Sequence, residues 1–353
     1  MRASVKYSAV QSNVGRYTTR GNLRELERTV MKIGMNLHME GGYDAAVEEA
    51  RRADEQGYDS VWLSDHILPI YGNPNEPDRP LDLFLVMTAI AAVTKNVRLA
   101  WGTLNTTLRP PLLFAKMLTT LDVISHGRVI CTMGSGWNLE EWRLYKLPLV
   151  EDHDERAEYC RELIALYRQM WTHPAPEETY FDGKYVKVDG LPFNPEPIQK
   201  PYPPIWMGGE SDATLTTVKT LCDGWMPLGS GSNPERLKEV TSAPDWPADR
   251  PMSIVKGGRI IVRATRDEAM RAAQAEYEHL MATAPRGLPG TFDEFAQRET
   301  VGSTDEVLAR IEEFASCGIT DLRINFVTAE SQAAAAQLLL PRLDELKQPA
   351  VSH

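Results

Sequence analysis

The stretch SHGRVICTMGSGWNLEEW, residues 125–142, shows the pattern that decides the fold. A strand-like run of mostly apolar residues follows Arg128 and ends in the two glycines Gly134 and Gly136. Further along the chain, apolar residues recur at helical three-to-four spacing, at Tyr159, Leu163, Ile164, Tyr167 and Met170. A short apolar run followed by an amphipathic helical segment is typical of a βα unit in a parallel sheet.

This alternation continues along the chain from Met31 onward. Eight such runs occur: MKIGMNL (31–37), DSVWLSD (59–65), VRLAWGTL (97–104), RVICTMGSG (128–136), PPIWMGG (203–209), DGWMPLG (223–229), RIIVRAT (259–265) and DLRINF (321–326). Eight strands with helices between them and no linker-like break predict an α/β fold, a single (β/α)8 TIM barrel. Its active site would lie at the carboxyl ends of the strands. A doubly wound sheet is the alternative.

Three segments stand apart from the alternation. Residues 173–203 and 283–302 are rich in Gly and Pro, and we interpret both as insertions in a single domain over 31–348. Residues 1–30 precede the first strand-like run and are predicted to lie outside the fold. They lack the apolar core that a secretory signal requires.

The composition excludes several classes of protein. Of the 353 residues, 42% are hydrophobic and 25% are charged, as in globular proteins that fold in water. No uncharged apolar run reaches the roughly 18 residues that span a bilayer. The net charge of -11 repels nucleic-acid phosphates and anionic lipids. The charge and the absence of such a run predict that the protein binds neither nucleic acid nor membranes. The four cysteines are far apart and form no CxxC pair, so we expect a cytoplasmic protein.

Asp65 and His66 follow the second strand and are the first candidates for catalysis. An imidazole titrates near neutrality and can donate or accept a proton, and Asp65 beside it can help to orient it. Adjacent strand residues point in opposite directions, so a direct contact is not assured. A hydrogen-bonded packing role for His66 is the alternative. No HxH, HExxH or CxxC motif accompanies it, so no metal site is predicted.

Gly208-Gly209-Glu210-Ser211 precedes a helical segment and has the composition of a phosphate cradle. Small residues let backbone N–H groups approach an anion at a helix N-terminus. Ser211 would then be both the N-cap and a phosphate ligand. A capping role alone is the alternative.

The glycines after the fourth strand do not form a dinucleotide fingerprint, because Leu139 occupies the third glycine position. Gly134 and Gly136 instead permit close approach of a flat ring or of backbone. Trp137 and Asn138 are candidate stacking and hydrogen-bonding groups. Core packing is the alternative for Trp137.

Arg109-Pro110-Pro111 predicts a turn before a helix that begins at Pro111. Arg109 would contact an acidic substrate or a surface carboxylate. Two further helix starts carry the S/T-x-x-E capping box, Thr265 with Glu268 and Ser303 with Glu306.

Together these segments resemble the bacterial-luciferase-like superfamily of flavin-dependent oxidoreductases from about Met31 to Leu346. Five segments carry the resemblance in order: GYDSVWLSDHILP (57–69), VRLAWGT (97–103), SHGRVICTMGSGWNLEEW (125–142), PPIWMGGESDATL (203–215) with CDGW (222–225), and STDEVLARIEEFASCGITDLRINF (303–326). The SDH tripeptide and the GxGWN-x-EE stretch are similar to the branch that uses the deazaflavin coenzyme F420.

The resemblance implies how the site is arranged. His66 would lie beside the deazaflavin ring as the central active-site residue. The ring would lie over the barrel mouth near Gly102, Thr103 and Asn105, where this branch often has a non-proline cis peptide. The phosphate end would be held by Gly208, Gly209 and Ser211.

The resemblance also implies an activity, the transfer of a hydride between coenzyme F420 and a small organic substrate, with His66 supplying or accepting the proton. Sugar-phosphate dehydrogenases of the branch carry a glutamate where this chain has Trp137, which argues against their substrate. One alternative is an FMN-dependent two-component monooxygenase that uses oxygen and reduced flavin from a separate reductase. Another is a flavin-binding protein without turnover. A homodimer or larger homo-oligomer through barrel helices is expected.

Overall fold

The computed structural model describes residues 31–39, 41–68, 81–148, 150–227, 234–247, 250–283 and 287–346. The predicted extension at 1–30 and the last two residues of the predicted domain, 347 and 348, lie outside these ranges.

Strands and helices alternate along most of the described chain. The strands are β1 (Lys32–Asn36), β2 (Ser60–Leu63), β3 (Arg98–Trp101), β4 (Leu104–Asn105), β5 (Cys131–Gly134), β6 (Glu178–Asp182), β7 (Lys187–Pro192), β8 (Ile205–Gly208), β9 (Gly224–Met226), β10 (Ser253–Gly258), β11 (Ile260–Arg263), β12 (Thr300–Ser303) and β13 (Asp321–Ile324). The α-helices are α1 (Gly42–Gln56), α2 (Leu83–Val93), α3 (Pro111–Ser125), α4 (Leu139–Tyr145), α5 (His153–Thr172), α6 (Asp212–Leu221), α7 (Pro234–Thr241), α8 (Arg266–Thr283), α9 (Phe292–Arg298), α10 (Thr304–Ser316) and α11 (Ala329–Leu338). A 3-10 helix covers Leu340–Glu345.

Nine of these strands form one parallel sheet in the order β3-β2-β1-β13-β10-β9-β8-β5-β4. The two ends of this order, β3 and β4, are halves of one stretch of chain that is interrupted at Gly102 and Thr103. A parallel bridge between Leu99 and Val129 joins β3 to the residues before β5 and closes the sheet into a barrel. The predicted (β/α)8 barrel is confirmed, and the doubly wound alternative is wrong.

One of the eight predicted strands is misplaced. The run at 259–265 contains β11, which pairs with β12 in a separate two-stranded sheet. The seventh place in the barrel belongs to β10, which pairs with β9 and β13. Strand β10 was not predicted because it follows Pro251 and ends in Gly257-Gly258, and such residues indicate turns.

The two Gly/Pro-rich segments contain secondary structure of their own. Residues 173–203 contain the antiparallel pair β6 and β7, and 283–302 contain α9 and the start of β12. Both predicted capping boxes are confirmed: the backbone N–H of Thr265 donates to Glu268 at 3.1 Å, and that of Ser303 donates to Glu306 at 2.9 Å. Helix α3 begins at Pro111, as predicted.

Large side chains fill the middle of the barrel. Alternate strand residues face the interior, where Trp62, Ala100, Ile130, Trp206, Met226 and Val255 form a buried cluster. The rings of Trp62 and Trp206 lie 6.0 Å apart. Neighbouring residues such as Leu63 and Leu99 face the helices and belong to the main core. A ligand therefore has to bind at the rim, where the strands end.

Helices α2 and α3 expose several aliphatic side chains. These are Leu85, Val93, Leu113, Val123 and Ile124. No helix within the described ranges is long and apolar enough to cross a membrane. The expected homo-oligomer through barrel helices stays a prediction.

Asp54, in α1, anchors the turn that leads into β3. Its carboxylate accepts backbone hydrogen bonds from Lys95 at 2.9 Å and from Asn96 and Val97 at 2.7 Å each. Partial burial acts to raise the pKa of Asp54, but the hydrogen bonds from Val97, Lys95 and Asn96 hold it below its ordinary value. The charged form of Asp54 therefore stabilises the folded state.

We expect Asp54→Ala to lower the free energy of unfolding by about 2 kcal/mol, because hydrogen bonds to a charged group contribute about 1.5–3 kcal/mol. The contribution of the carboxylate charge is fully present at neutral pH and is lost as the pH falls through the lowered folded-state pKa. Urea unfolding at neutral pH and in acid measures both effects. Glu55→Ala, at an exposed position next to Asp54, is the control, and an equal loss in that variant would contradict the assignment.

Candidate active site

His66 lies beyond the carboxyl end of β2, and a buried carboxylate holds its imidazole. Its Nδ1 is 3.1 Å from both Oε1 and Oε2 of Glu141, which lies in α4. The side chain of Glu141 is fully buried, whereas that of His66 is 13% exposed. A carboxylate only accepts hydrogen bonds, so Nδ1 carries the hydrogen. The other nitrogen, Nε2, has no hydrogen bond to the described residues and remains for a ligand.

Glu141 also fixes the turn after His66. Its Oε1 accepts hydrogen bonds from the backbone N–H groups of Ile67, at 2.7 Å, and Leu68, at 3.3 Å. One carboxylate thus positions both the imidazole and the backbone that carries it. Sequence reasoning missed Glu141, although the GxGWN-x-EE stretch contains it.

Asp65 does not orient His66, and the prediction that it does so is wrong. Its carboxylate accepts hydrogen bonds from Arg109, Nη1 to Oδ2 at 2.7 Å and Nη2 to Oδ1 at 3.0 Å. The backbone N–H of Asn105 donates to the same carboxylate at 3.0 Å. Successive residues diverge here, so the side chain of Asp65 is buried in the barrel wall while His66 borders the site.

Of the two contacts predicted for Arg109, with an acidic substrate or with a surface carboxylate, the structure shows the second, although the chief partner of Arg109 is a buried carboxylate. It pairs chiefly with the buried Asp65, and its Nη2 also lies 3.2 Å from Asp82, whose side chain is partly exposed. The guanidinium carbon is 5.3 Å from the ring centres of Phe84 and Phe114. Arg109 therefore joins the turn before α3 to the strand end that carries His66.

Trp137 forms an exposed wall beside His66. Its ring centre lies 5.5 Å from that of His66 at an interplanar angle of 65°, and 57% of the residue is exposed. The alternative prediction that Trp137 packs in the core is therefore wrong. The next residue, Asn138, is the N-cap of α4, and its side chain makes no capping hydrogen bond. An exposed indole next to an imidazole can contact a flat ligand.

A cis peptide bond joins Gly102 to Thr103, as the family resemblance implied. A Cβ on Gly102 would collide with the guanidinium of Arg323, so the glycine lets that side chain lie against the peptide. Nε of Arg323 donates to Oδ1 of Asn36 at 2.6 Å, and its guanidinium carbon lies 5.5 Å from the centre of the Trp62 ring. Sequence reasoning missed Arg323, although alternation within β13 would have placed it inside the barrel.

The structure brings several predicted glycines together around Thr103. A Cβ on Gly134 would collide with Oγ1 of Thr103, and one on Gly208 would lie 2.6 Å from its Cγ2. These glycines therefore make room for Thr103. Gly136 has a φ of +76° and similarly abuts the buried Asn105. In the structure these glycines leave space for side chains at the rim. Their contact with a cofactor ring stays a prediction.

Ser211 begins α6 as its N-cap, accepting a hydrogen bond from the backbone N–H of Thr214 at 3.3 Å. Gly209 precedes it with a φ of +122°, a conformation that favours glycine. Two carboxylates, those of Glu210 and Asp212, flank Ser211 in the sequence, and their negative charge would repel a phosphate. The capping role is confirmed, and phosphate binding stays a prediction. Among the described residues, no three His, Cys, Asp or Glu side chains lie together as a metal site would need.

The fold and the rim place the protein among (β/α)8-barrel proteins with a candidate ligand site at the carboxyl ends of the strands. The family model of the luciferase-like monooxygenases matches residues 29–321, and the chain belongs to this family.

Several known proteins are similar to this chain. An uncharacterized protein of Mycobacterium tuberculosis is 29% identical over 230 residues, which cover 56% of this chain and 79% of that protein. The coenzyme F420-dependent tetrahydromethanopterin reductase of Methanopyrus kandleri has a similar fold, with a TM-score of 0.65, 19% identity and coverage of 90% of this chain and 99% of that chain. Riboflavin lyase with modified FMN and riboflavin gives a TM-score of 0.71, 17% identity and coverage of 91% and 94%. At these identities the structures show the fold alone.

Proposed function

We propose that the protein is an oxidoreductase that transfers a hydride between coenzyme F420 and a small organic substrate. The observation that carries this proposal is the pair of His66 and Glu141 beside the exposed Trp137 at the barrel rim. A histidine whose one nitrogen is held by a buried carboxylate presents its other nitrogen in a fixed orientation. Such an arrangement suits proton transfer to or from a bound substrate.

The rim fits the ring of a deazaflavin on two sides. His66 and Trp137 form one wall, and the Gly102–Thr103 peptide with the adjacent strand ends forms another. The N–H of Gly209 already donates to the Met226 carbonyl at 3.2 Å, so the N–H groups that follow it, around Ser211, would hold the phosphate end. When bound, the coenzyme supplies the carbon that gives or takes the hydride.

The residues of the chain move and hold the matching proton. With Nδ1 held by Glu141, Nε2 of His66 accepts the proton of an alcohol that is oxidised, or donates one to a carbonyl that is reduced. Glu141 stabilises the imidazolium that forms in the first case, and its complete burial strengthens that attraction. The orientation is set before the substrate binds, which lowers the entropic part of the barrier.

A two-component monooxygenase that binds reduced FMN is the second candidate. The family description names monooxygenases, and one protein of similar fold contains modified FMN. In that case His66 and Trp137 would still border the ring, and a separate reductase would supply the reduced flavin.

Parallel titrations should distinguish the two candidates. We expect oxidised F420 to quench tryptophan emission with saturation, and FMN in either redox state to bind more weakly. Trp137→Phe should remove much of the quenching because Trp137 borders the site, whereas Trp246→Phe, a partly buried control, should retain it. Selective binding of reduced FMN would establish the monooxygenase candidate instead. Binding of neither cofactor would overturn both.

A further inference from the structure

A cavity of about 300 Å³ lies beside the barrel rim at the junction of β9 and β10. These strands pair only at Ser253 with Gly224 and at Ile254 with Trp225. The residues that follow these pairs, 226–227 and 256–260, line the cavity together with parts of α10, β12 and β13. Its volume lies at the lower end of the range of about 300–1,000 Å³ for small-molecule sites.

The lining of this cavity is strongly cationic in a protein with a net charge of -11. It contains four basic side chains and one acidic one: Lys256, Arg259, Arg298, Arg323 and Glu299. Glu299 is shared, because its Oε1 lies 3.1 Å from Nη1 of Arg259 and 2.9 Å from Nη2 of Arg298. A local excess of positive charge in a partly desolvated cavity attracts an anion.

Two of the cations have hydrogen-bonding capacity that the described residues do not use. Nε of Arg259 is buried and has no acceptor within the described ranges. Nζ of Lys256 lies 3.4 Å from the carbonyl oxygen of Gly257 and 5.1 Å from the Phe314 ring centre. No described carboxylate lies within ion-pair distance of it, and Glu299 acts on it only from further away. Burial lowers the pKa of Lys256 below its ordinary value. An oxyanion in the cavity would give Lys256 a further acceptor and a closer counter-charge.

The cavity adjoins the rim where the coenzyme ring is proposed to bind. Arg323 lines the cavity, and its guanidinium also lies against Gly102. Met226 lines it too, and its Cε would be 3.3 Å from a Cβ on Gly208. A ligand anchored in the cavity can therefore extend past Arg323 and Met226 to the rim.

We infer that this cavity binds the anionic group of the substrate, so that the substrate is a small organic acid or a phosphate ester. Lys256 and Arg259 would hold the oxyanion, and the reacting carbon would lie at the rim. This inference rests on the proposed function for its statement about the substrate. Its binding step can be tested without coenzyme or turnover.

The test is calorimetric titration of the coenzyme-free protein at low salt with two probes, inorganic phosphate and succinate. We expect saturable binding of at least one probe. Lys256→Met should weaken it about tenfold or more, since it removes a charge-assisted hydrogen bond while keeping a chain of similar length. Gly257→Leu should abolish it, because its side chain fills open space. Lys95→Met, which removes an exposed lysine outside the cavity, should bind like the parent.

The outcomes separate this inference from the proposed function. Phosphate binding alone indicates a phosphate ester, and binding of succinate indicates a carboxylate substrate; either supports the anion site. Two outcomes would overturn the anion site. One is that neither probe binds. The other is that a probe binds, Ser211→Ala weakens the binding, and Lys256→Met and Gly257→Leu leave it unchanged. Titration of each variant with F420 is a separate measurement, so a failure of the coenzyme assignment leaves the anion result standing, and the reverse also holds.

Discussion

His66→Ala should reduce kcat by roughly 10²–10⁴-fold, the range that a positioned general acid or base contributes. The expectation follows from Nε2 being the one imidazole nitrogen without a partner among the described residues, while Nδ1 is fixed on Glu141. Binding of oxidised F420 should stay within a few-fold of the parent, because Trp137 and the Gly102–Thr103 peptide are retained. The assay follows coenzyme absorbance with a panel of small alcohols, aldehydes, organic acids and phosphate esters.

Glu141→Gln sharpens the same test. The amide keeps the size of the carboxylate and can still accept a hydrogen bond from Nδ1, but it carries no charge. We expect a smaller fall in kcat than in His66→Ala, with little change in KM. His153→Ala, which replaces an exposed histidine at the start of α5, should behave like the parent. Unchanged turnover in His66→Ala would remove His66 from the mechanism, and loss of coenzyme binding would make it a binding residue instead.

Much of the fold was predictable because each barrel strand is signalled locally. An apolar run of strand length, a turn residue at its end and an amphipathic segment behind it do not depend on distant residues. Seven of the eight barrel places follow from this pattern. The prediction missed the seventh strand, β10, because the two glycines at its end indicate a turn more strongly than Ile254 and Val255 indicate a strand.

The candidate site was predictable only in part, because its side-chain pairs join distant residues. Position at a strand end identified His66, but its partner Glu141 lies 75 positions away. The sequence offers Asp65 as the nearer carboxylate, and that residue is instead taken by Arg109, 44 positions away. Which carboxylate meets which cation depends on how α3 and α4 pack against the rim, and local sequence patterns carry no signal for that.

Arg109→Met should lower the free energy of unfolding by about 3–5 kcal/mol, the cost of breaking a buried ion pair by removing one partner. The side chain of Asp65 is 1% exposed, and without Arg109 its remaining hydrogen bond among the described residues comes from the Asn105 N–H. Methionine can still pack against the aromatic rings that Arg109 contacts. Denaturant unfolding measures the change, and Arg143→Met, which breaks an exposed pair with Glu151, should cost no more than about 1 kcal/mol.

The cost of the Arg109 substitution should depend on pH and on Asp65. Burial raises the pKa of Asp65, and the Arg109 guanidinium opposes that rise, so Arg109→Met should raise the folded-state pKa further. A folded-state pKa above the unfolded one makes the variant recover stability as the pH falls, because the folded state then binds the extra proton. Adding Asp65→Asn to Arg109→Met should restore part of the loss at neutral pH. If the double variant is no more stable than Arg109→Met, the lost contacts of Arg109 with the phenylalanine rings, and not the unpaired carboxylate, account for the cost.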